Sequence, residues 1–161
     1  MVEFRKITYD NLEECTKLKL HPEQENFLAS NLYSLAEAYV SITIEGENSY
    51  TTPYAIYAED KMVGFILLDY YPEDDIFGEN AYHIWRLMID KDQQGKGYGK
   101  MAIEKAIEVI ESKLYGPGEY IYVSYDPENE VSRKLFKSFG FVETDKKFNE
   151  NELEIIARRK I

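Results

Sequence analysis

Gln94-Gly95-Lys96-Gly97-Tyr98-Gly99 separates an apolar strand, Ile84-Trp85-Arg86-Leu87-Met88-Ile89, from an amphipathic helix predicted over residues 98–112. Glycine at 95, 97 and 99 leaves no Cβ between the backbone and a ligand. Free amides at the start of a helix, with the positive end of its dipole behind them, favour phosphate. The loop is therefore expected to grip a pyrophosphate-bearing cofactor, against the plain alternative of a glycine-rich turn that caps a helix. Spacing narrows the choice of cofactor. A Walker loop requires Ser or Thr directly after Gly-Lys, and here Gly97 follows Lys96. The dinucleotide fingerprint G-x-G-x-x-G is not met by Gly95-x-Gly97-x-Gly99.

The 161 residues are expected to form one domain, 1–161, large enough for a full core. No apolar run approaches the ~20 residues of a membrane span, and Met1-Val2-Glu3-Phe4-Arg5 lacks the apolar centre of a signal peptide. Cys15 is the single cysteine, which excludes an internal disulfide and a cysteine-based metal site, and His21 and His83 alone do not make a metal site. A cytoplasmic protein without a metal is the expectation. Thirty acidic residues stand against 19 Lys and Arg, a net charge of −11. That balance disfavours nucleic acid, and it suits a small cationic partner steered by carboxylates.

Periodicity predicts a strand at residues 4–7 and a helix over 11–20 with Leu12, Cys15 and Leu18 on one face. After the break at His21-Pro22, a second helix is predicted over 23–39, with Phe27, Leu28, Leu32, Leu35 and Ala38 at helical spacing. Residues 54–58 and 62–68 read as a hairpin turning at Glu59-Asp60-Lys61, and 81–90 as the strand that feeds the loop. A strand at 120–124, a helix at 130–138 and two strands at 141–144 and 153–158 complete the order.

The loop also matches Q-x-x-G-x-G through Gln94, Gly97 and Gly99, and in this it resembles the acyl-CoA pyrophosphate loop of the GNAT superfamily of N-acetyltransferases. A second segment, Asn129-x-x-Ser132-x-x-Leu135-Phe136-x-x-Phe139-Gly140-Phe141, is similar to the GNAT stretch N-x-x-A-x-x-L-Y-x-x-x-G-F. The resemblance covers essentially the whole chain. It implies an α/β (α+β) fold, with a central mixed, mostly antiparallel sheet of six to seven strands and about four flanking helices. Two strands of that sheet splay into a wedge for acetyl-CoA. It further implies that the backbone of Leu87, Met88 and Ile89 pairs with the pantetheine arm, and that the Met88 amide polarises the thioester oxygen. Gln94, Gly95, Lys96, Gly97, Tyr98, Gly99 and Lys100 would hold the pyrophosphate, and Asn129, Ser132 and Phe136 would border the arm. Many GNAT enzymes protonate the departing thiolate with a tyrosine where this chain has Phe136. Tyr125, read otherwise as a half-exposed aromatic at a strand end, is a candidate replacement, and water is another.

The acceptor amine must lose a proton before it attacks. His83 is a candidate base, against a strand-edge histidine held by a structural hydrogen bond. Glu23, Glu25, Glu37, Glu73, Asp74, Asp75 and Glu79 are candidate carboxylates for an ammonium group, each otherwise a solvated surface charge. Residues 22–38 resemble the acceptor-side helix of bacterial GNATs assigned as spermine/spermidine N-acetyltransferases, matching at Gln24, Phe27, Asn31, Ser34 and Ala38. A polyamine or small diamine is thus the implied acceptor. Other amines (a protein N-terminus or lysine, an amino acid, an aminoglycoside) and a non-catalytic acyl-CoA sensor stay open. The resemblance also allows a homodimer, formed if the terminal strand around Leu153-Glu154-Ile155-Ile156-Ala157 pairs across an interface instead of finishing the sheet.

Overall fold

The computed structural model describes residues 1–43, 50–72, 77–148 and 153–161. The carboxylates Glu73, Asp74 and Asp75 therefore lie outside the described residues. One seven-stranded sheet dominates, in the order β1-β2-β3-β4-β5-β7-β6. Its strands are β1 (Glu3–Lys6), β2 (Tyr50–Ala58), β3 (Lys61–Tyr71), β4 (Ala81–Ile89), β5 (Tyr120–Tyr125), β6 (Val142–Glu143) and β7 (Ile155–Lys160). Every pairing is antiparallel except β4 with β5. The helices are α1 (Leu12–Lys17), α2 (Asn31–Ser41), α3 (Tyr98–Glu111) and α4 (Glu130–Ser138).

A parallel pair needs a long crossover, and α3 supplies it. Its Ala102, Ile103, Ala106, Ile107 and Ile110 recur on one face and are buried against the sheet with Ile66, Leu68, Ile84 and Val123. Each isoleucine so buried contributes about 1.5–3 kcal/mol. The opposite face of the sheet carries Ala55, Tyr57, Phe65, Leu67 and Met88, covered by Cys15 of α1 and Ala38 of α2.

The single long helix expected over residues 23–39 is in fact two elements. Pro22–Phe27 forms a 3-10 turn, Leu28 is extended (φ −151°, ψ 137°), and α2 starts afresh at Asn31. Ser30 causes the break: its hydroxyl accepts from the Tyr33 amide at 3.2 Å, which satisfies a helix-start donor that an uninterrupted helix would not leave free. The first helix is also shorter than expected, because Leu18 is extended. The terminal strand does not form an open edge. β7 lies inside the sheet between β5 and β6, paired on the β6 side at Ala157 and Arg158.

Two features of β4 shape the cleft. Its pairing with β5 stops at Ile84↔Val123, although β4 continues to Ile89 and β5 to Tyr125. Beyond that point the two strands diverge into a wedge. In addition, Leu67 pairs with Arg86 and Leu68 with Ile84, so Trp85 is the extra residue of a β-bulge at the fork.

Candidate active site

The glycine loop enters α3 with Gly95 at φ 76° and Gly97, its N-cap, at φ 82°. These left-handed conformations are open to glycine at little cost. They bend the chain so that the first amides of α3 open onto the wedge. Gln94 and Lys96, both expected to face phosphate, are occupied in holding the loop. Gln94 and Gln24 exchange side-chain amide hydrogen bonds at 2.8 and 3.1 Å, and Gln94 Nε2 also donates to the Ile89 carbonyl at 3.0 Å. Lys96 Nζ folds back to donate to the Asp92 carbonyl (3.0 Å) and Gln93 Oε1 (2.9 Å). Lys100, in contrast, lines the cleft.

That cleft has a volume of about 560 Å³. Leu87, Met88 and Ile89 form one wall, the loop from Gln94 to Lys100 without Lys96 closes one end, and Asn129, Ser132 and Phe136 of the α4 region form the other wall. The volume falls in the range typical of small-molecule sites. The residues expected to border a CoA arm are thus brought together around one space. Asn129 caps α4 by accepting from the Ser132 amide at 3.1 Å, which leaves its NH₂ group to donate.

The backbone of β4 shows which peptide groups face the wedge. The Asp90 amide donates to the Val63 carbonyl of β3 at 2.9 Å, and the Met88 carbonyl oxygen abuts Gly64 of the same strand. In an antiparallel strand both polar groups of a residue point the same way and alternate along the chain. Met88 therefore addresses β3, and the peptide groups of Leu87 and Ile89 face the open edge. The expected role for the Met88 amide is corrected accordingly.

A second cavity of about 360 Å³ lies on the other side of the fork, lined by Glu25, Asn26, Ala29, Arg86 and Glu154. Phe27, Leu28, Trp85 and Ser124 line both spaces. Arg86 is held by Glu37 at 3.1 Å and lies 4.7 Å over the Trp85 ring, and its Nε is buried with no partner. Glu154 and Ser124 were not legible as site residues. The pairing of β7 with β5 brings Glu154, just before β7, to this cavity only through long-range contact, although strand parity from Tyr122 would have put Ser124 on the face of the second cavity.

The other candidates are dispersed. Glu23 borders the first cavity and Glu25 the second. Glu37 is neutralised by Arg86. Glu79 lines neither cavity, and accepts from the Tyr122 hydroxyl at 2.6 Å with Arg158 3.6 Å away. His83 is not at a strand edge and makes no hydrogen bond with a described residue. It is buried in a central strand among Phe77, Phe148 and Tyr71, with Nδ1 3.7 Å from Asp69 and both ring nitrogens unpartnered. Tyr125 borders the first cavity but is buried, not half-exposed, and its ring stacks on Phe136 at 6.1 Å. Its hydroxyl donates to Glu143 at 3.3 Å, and Arg133 fixes that carboxylate from 2.7 and 3.0 Å. Burial, and then the neighbouring Glu143, push the Tyr125 phenol up to about 12. A hydroxyl that donates to a carboxylate held by Arg133 is already engaged, and is not free to donate to a departing thiolate.

Burial likewise pushes Tyr122 up to about 12. Both folded values exceed the unfolded phenol's value of about 10. The neutral phenols therefore stabilise the fold fully below pH ~10, and that contribution is lost as pH rises through ~12. The urea midpoint is expected to fall between pH 10 and 12, and less steeply in Tyr122→Phe; a flat midpoint in the parent protein would contradict this.

Comparison with known proteins agrees with this architecture. The sequence model described as the Acetyltransferase (GNAT) family matches residues 11–141. A probable spermine N(1)-acetyltransferase of Bacillus subtilis subsp. natto (strain BEST195) is 30% identical over 142 residues, 87% of each chain. Among solved structures, spermidine N-acetyltransferase from Vibrio cholerae, in complex with CoA and spermine, has a TM-score of 0.63 at 18% identity and covers 99% of this chain and 94% of its own. An aminoglycoside acetyltransferase in complex with coenzyme A and kanamycin has a TM-score of 0.72 at 16% identity, over 99% of this chain and 95% of its own. Splayed strands, a glycine loop opening α3 and a match across most of the sequence converge: this chain belongs to the GNAT family of N-acetyltransferases.

Proposed function

We propose that the protein transfers the acetyl group of acetyl-CoA directly to a primary amine of a polyamine such as spermidine or spermine. The observation that carries this reading is the pair of cavities that meet at the β4–β5 fork, glycine loop on one side and carboxylates on the other. In the first cavity, the amides of Gly97 to Lys100 and the Lys100 ammonium hold the pyrophosphate. The Leu87 amide and carbonyl and the Ile89 amide bond the pantetheine arm, and one of the two amides polarises the thioester carbonyl. In the second, Glu25 and Glu154 make no ion pair with a described residue, so both are open to ammonium groups. The Bacillus relative supports the same acceptor class. Transfer without an acyl-cysteine step agrees with Cys15, which is fully buried and whose thiol burial pushes up to about 12.

Arg86 favours a second reading. Its guanidinium lines the acceptor cavity while Glu37 holds one Nη at 3.1 Å, and a planar cation there suits an acceptor that carries a carboxylate, such as an amino acid or a peptide N-terminus. Thiol release from acetyl-CoA, followed with spermidine, spermine, a free amino acid and an aminoglycoside, separates these readings. Turnover with the polyamines is expected, together with a rise of about fivefold or more in spermine KM for Glu25→Gln/Glu154→Gln, from ~1 kcal/mol of ammonium pairing. Background release with polyamines beside turnover of an amino acid would overturn the polyamine assignment. Tight acetyl-CoA binding with no turnover of any amine would indicate a sensor.

A further inference from the structure

Phe136 leaves the departing thiolate without the usual phenol, and the Tyr125 hydroxyl is committed to Glu143. The proton must come from water or from another side chain, and a side chain can be sought where the two substrates meet. Direct transfer requires the thioester carbon to sit where the donor and acceptor cavities meet, because the amine and the thioester approach it from opposite sides. Phe27, Leu28, Trp85 and Ser124 border both cavities. Phe27 and Leu28 carry no exchangeable proton, and an indole N–H donates but does not accept. Ser124 alone of the four both donates and accepts.

Its placement follows from the strands. The parallel pairing of β4 and β5 ends at Ile84↔Val123, so Trp85 and Ser124 are the first residues past the fork. Ser124 alternates with Val123 and Tyr125, which pack on the α3 side, and so lies on the face that carries Tyr122 and Ile156. That is the face of the acceptor cavity. Ser124 is part-exposed, and its hydroxyl bonds to no described residue. The hydroxyl is therefore uncommitted at the one place where both substrates are within reach.

We propose that Ser124 relays the proton from the attacking amine to the leaving sulfur. The N–C bond forms while the C–S bond breaks and its electron pair goes to sulfur. Ser124 Oγ accepts the proton shed by the nitrogen as its own hydroxyl proton passes to the thiolate, so the serine ends unchanged and the products are the N-acetylamine and the free thiol. The amine attacks in its neutral form, its ammonium proton already lost to solvent, and the relay carries the second nitrogen proton, so no outside acid, oxidant or metal enters the balance. The relay rests on reading the two cavities as donor and acceptor sites, and it is independent of which amine occupies the second.

The test uses the full chain with whichever amine turns over fastest, and acetyl-CoA affinity is measured separately by calorimetry. Ser124→Ala is expected to lower kcat about 100-fold, the scale of one positioned acid–base group, with acetyl-CoA Kd and amine KM within about twofold. Ser124→Thr, which keeps the hydroxyl on a β-branched side chain suited to a strand, is expected to restore most of kcat. At constant pH, rising imidazole buffer should accelerate Ser124→Ala and leave the parent protein unchanged, a response that lost packing would not produce. The relay is overturned if Ser124→Ala keeps kcat within threefold, or if its defect lies in KM and neither threonine nor buffer repairs it. A parent protein that binds acetyl-CoA and acetylates no amine would sink the functional reading itself, and the relay with it.

Discussion

Gly97→Val is expected to weaken acetyl-CoA binding about 100-fold while leaving the fold intact. Gly97 is the N-cap of α3 at φ 82°, where a β-branched residue is strained by about 1–3 kcal/mol. Space is not the obstacle, since an added Cβ would meet only the Met101 methyl, at 4.0 Å. The backbone relieves the strain by rotating, and the amides of Tyr98, Gly99 and Lys100 rotate with it. A hydrogen bond to a charged group is worth about 1.5–3 kcal/mol. Loss of one or two, offset by water, gives about 2.7 kcal/mol, or 100-fold in Kd. Calorimetry with CoA, together with a melting curve, reads both halves of the expectation. An affinity within threefold of the parent protein would remove the loop from the phosphate site, and a collapsed melting temperature would make Gly97 a folding residue instead.

That loop was legible because its chemistry is local. Glycine spacing, a preceding apolar run and a following helical period all lie within residues 84–112, and the observed α3, Tyr98–Glu111, follows the predicted bounds closely. Side-chain roles inside it were less legible. Gln94 matches the motif, yet its amide closes a pair with Gln24, 70 residues away in sequence, that no local pattern announces. The broken second helix comes from two local signals in conflict. Apolar spacing through Phe27, Leu28 and Leu32 is continuous, and Ser30 overrides it by capping α2. The second cavity was least legible because it is assembled from distant segments. Glu154 reaches it only because β7 inserts between β5 and β6, and Glu37 is withdrawn by Arg86, 49 residues on. Trp85 looks like an ordinary strand residue until the register with β3 shows it to be a bulge. Charge composition pointed toward a cationic acceptor, but it could not say which carboxylates meet one.

Gly64→Ala is expected both to destabilise the protein and to loosen its grip on acetyl-CoA, although residue 64 touches neither cavity. Gly64 pairs with Ile89, and an added Cβ would overlap the Met88 carbonyl oxygen while lying 2.9 Å from Ile89 Cδ1 and 3.3 Å from Ile56 Cδ1. The isoleucine tips have rotamers to yield, but a backbone carbonyl yields only if β4 moves. Overpacking of this kind costs about 1–3 kcal/mol, or roughly 2–12 °C in melting temperature for a chain of this size. The direction of relief matters more than its size. β3 is fixed by β2 along most of its length, from Tyr50↔Tyr70 to Ala58↔Lys61, whereas β4 past Ile84 has lost β5 and is supported on one side alone. β4 therefore recoils into the wedge, carrying the Leu87 and Ile89 peptide groups toward the space that the pantetheine arm needs. Melting curves and CoA calorimetry on Gly64→Ala should show both losses, and both should deepen in Gly64→Val. A variant that melts lower but binds CoA as the parent does would place the relief in β3 and detach the close packing of residue 64 from the geometry of the cleft.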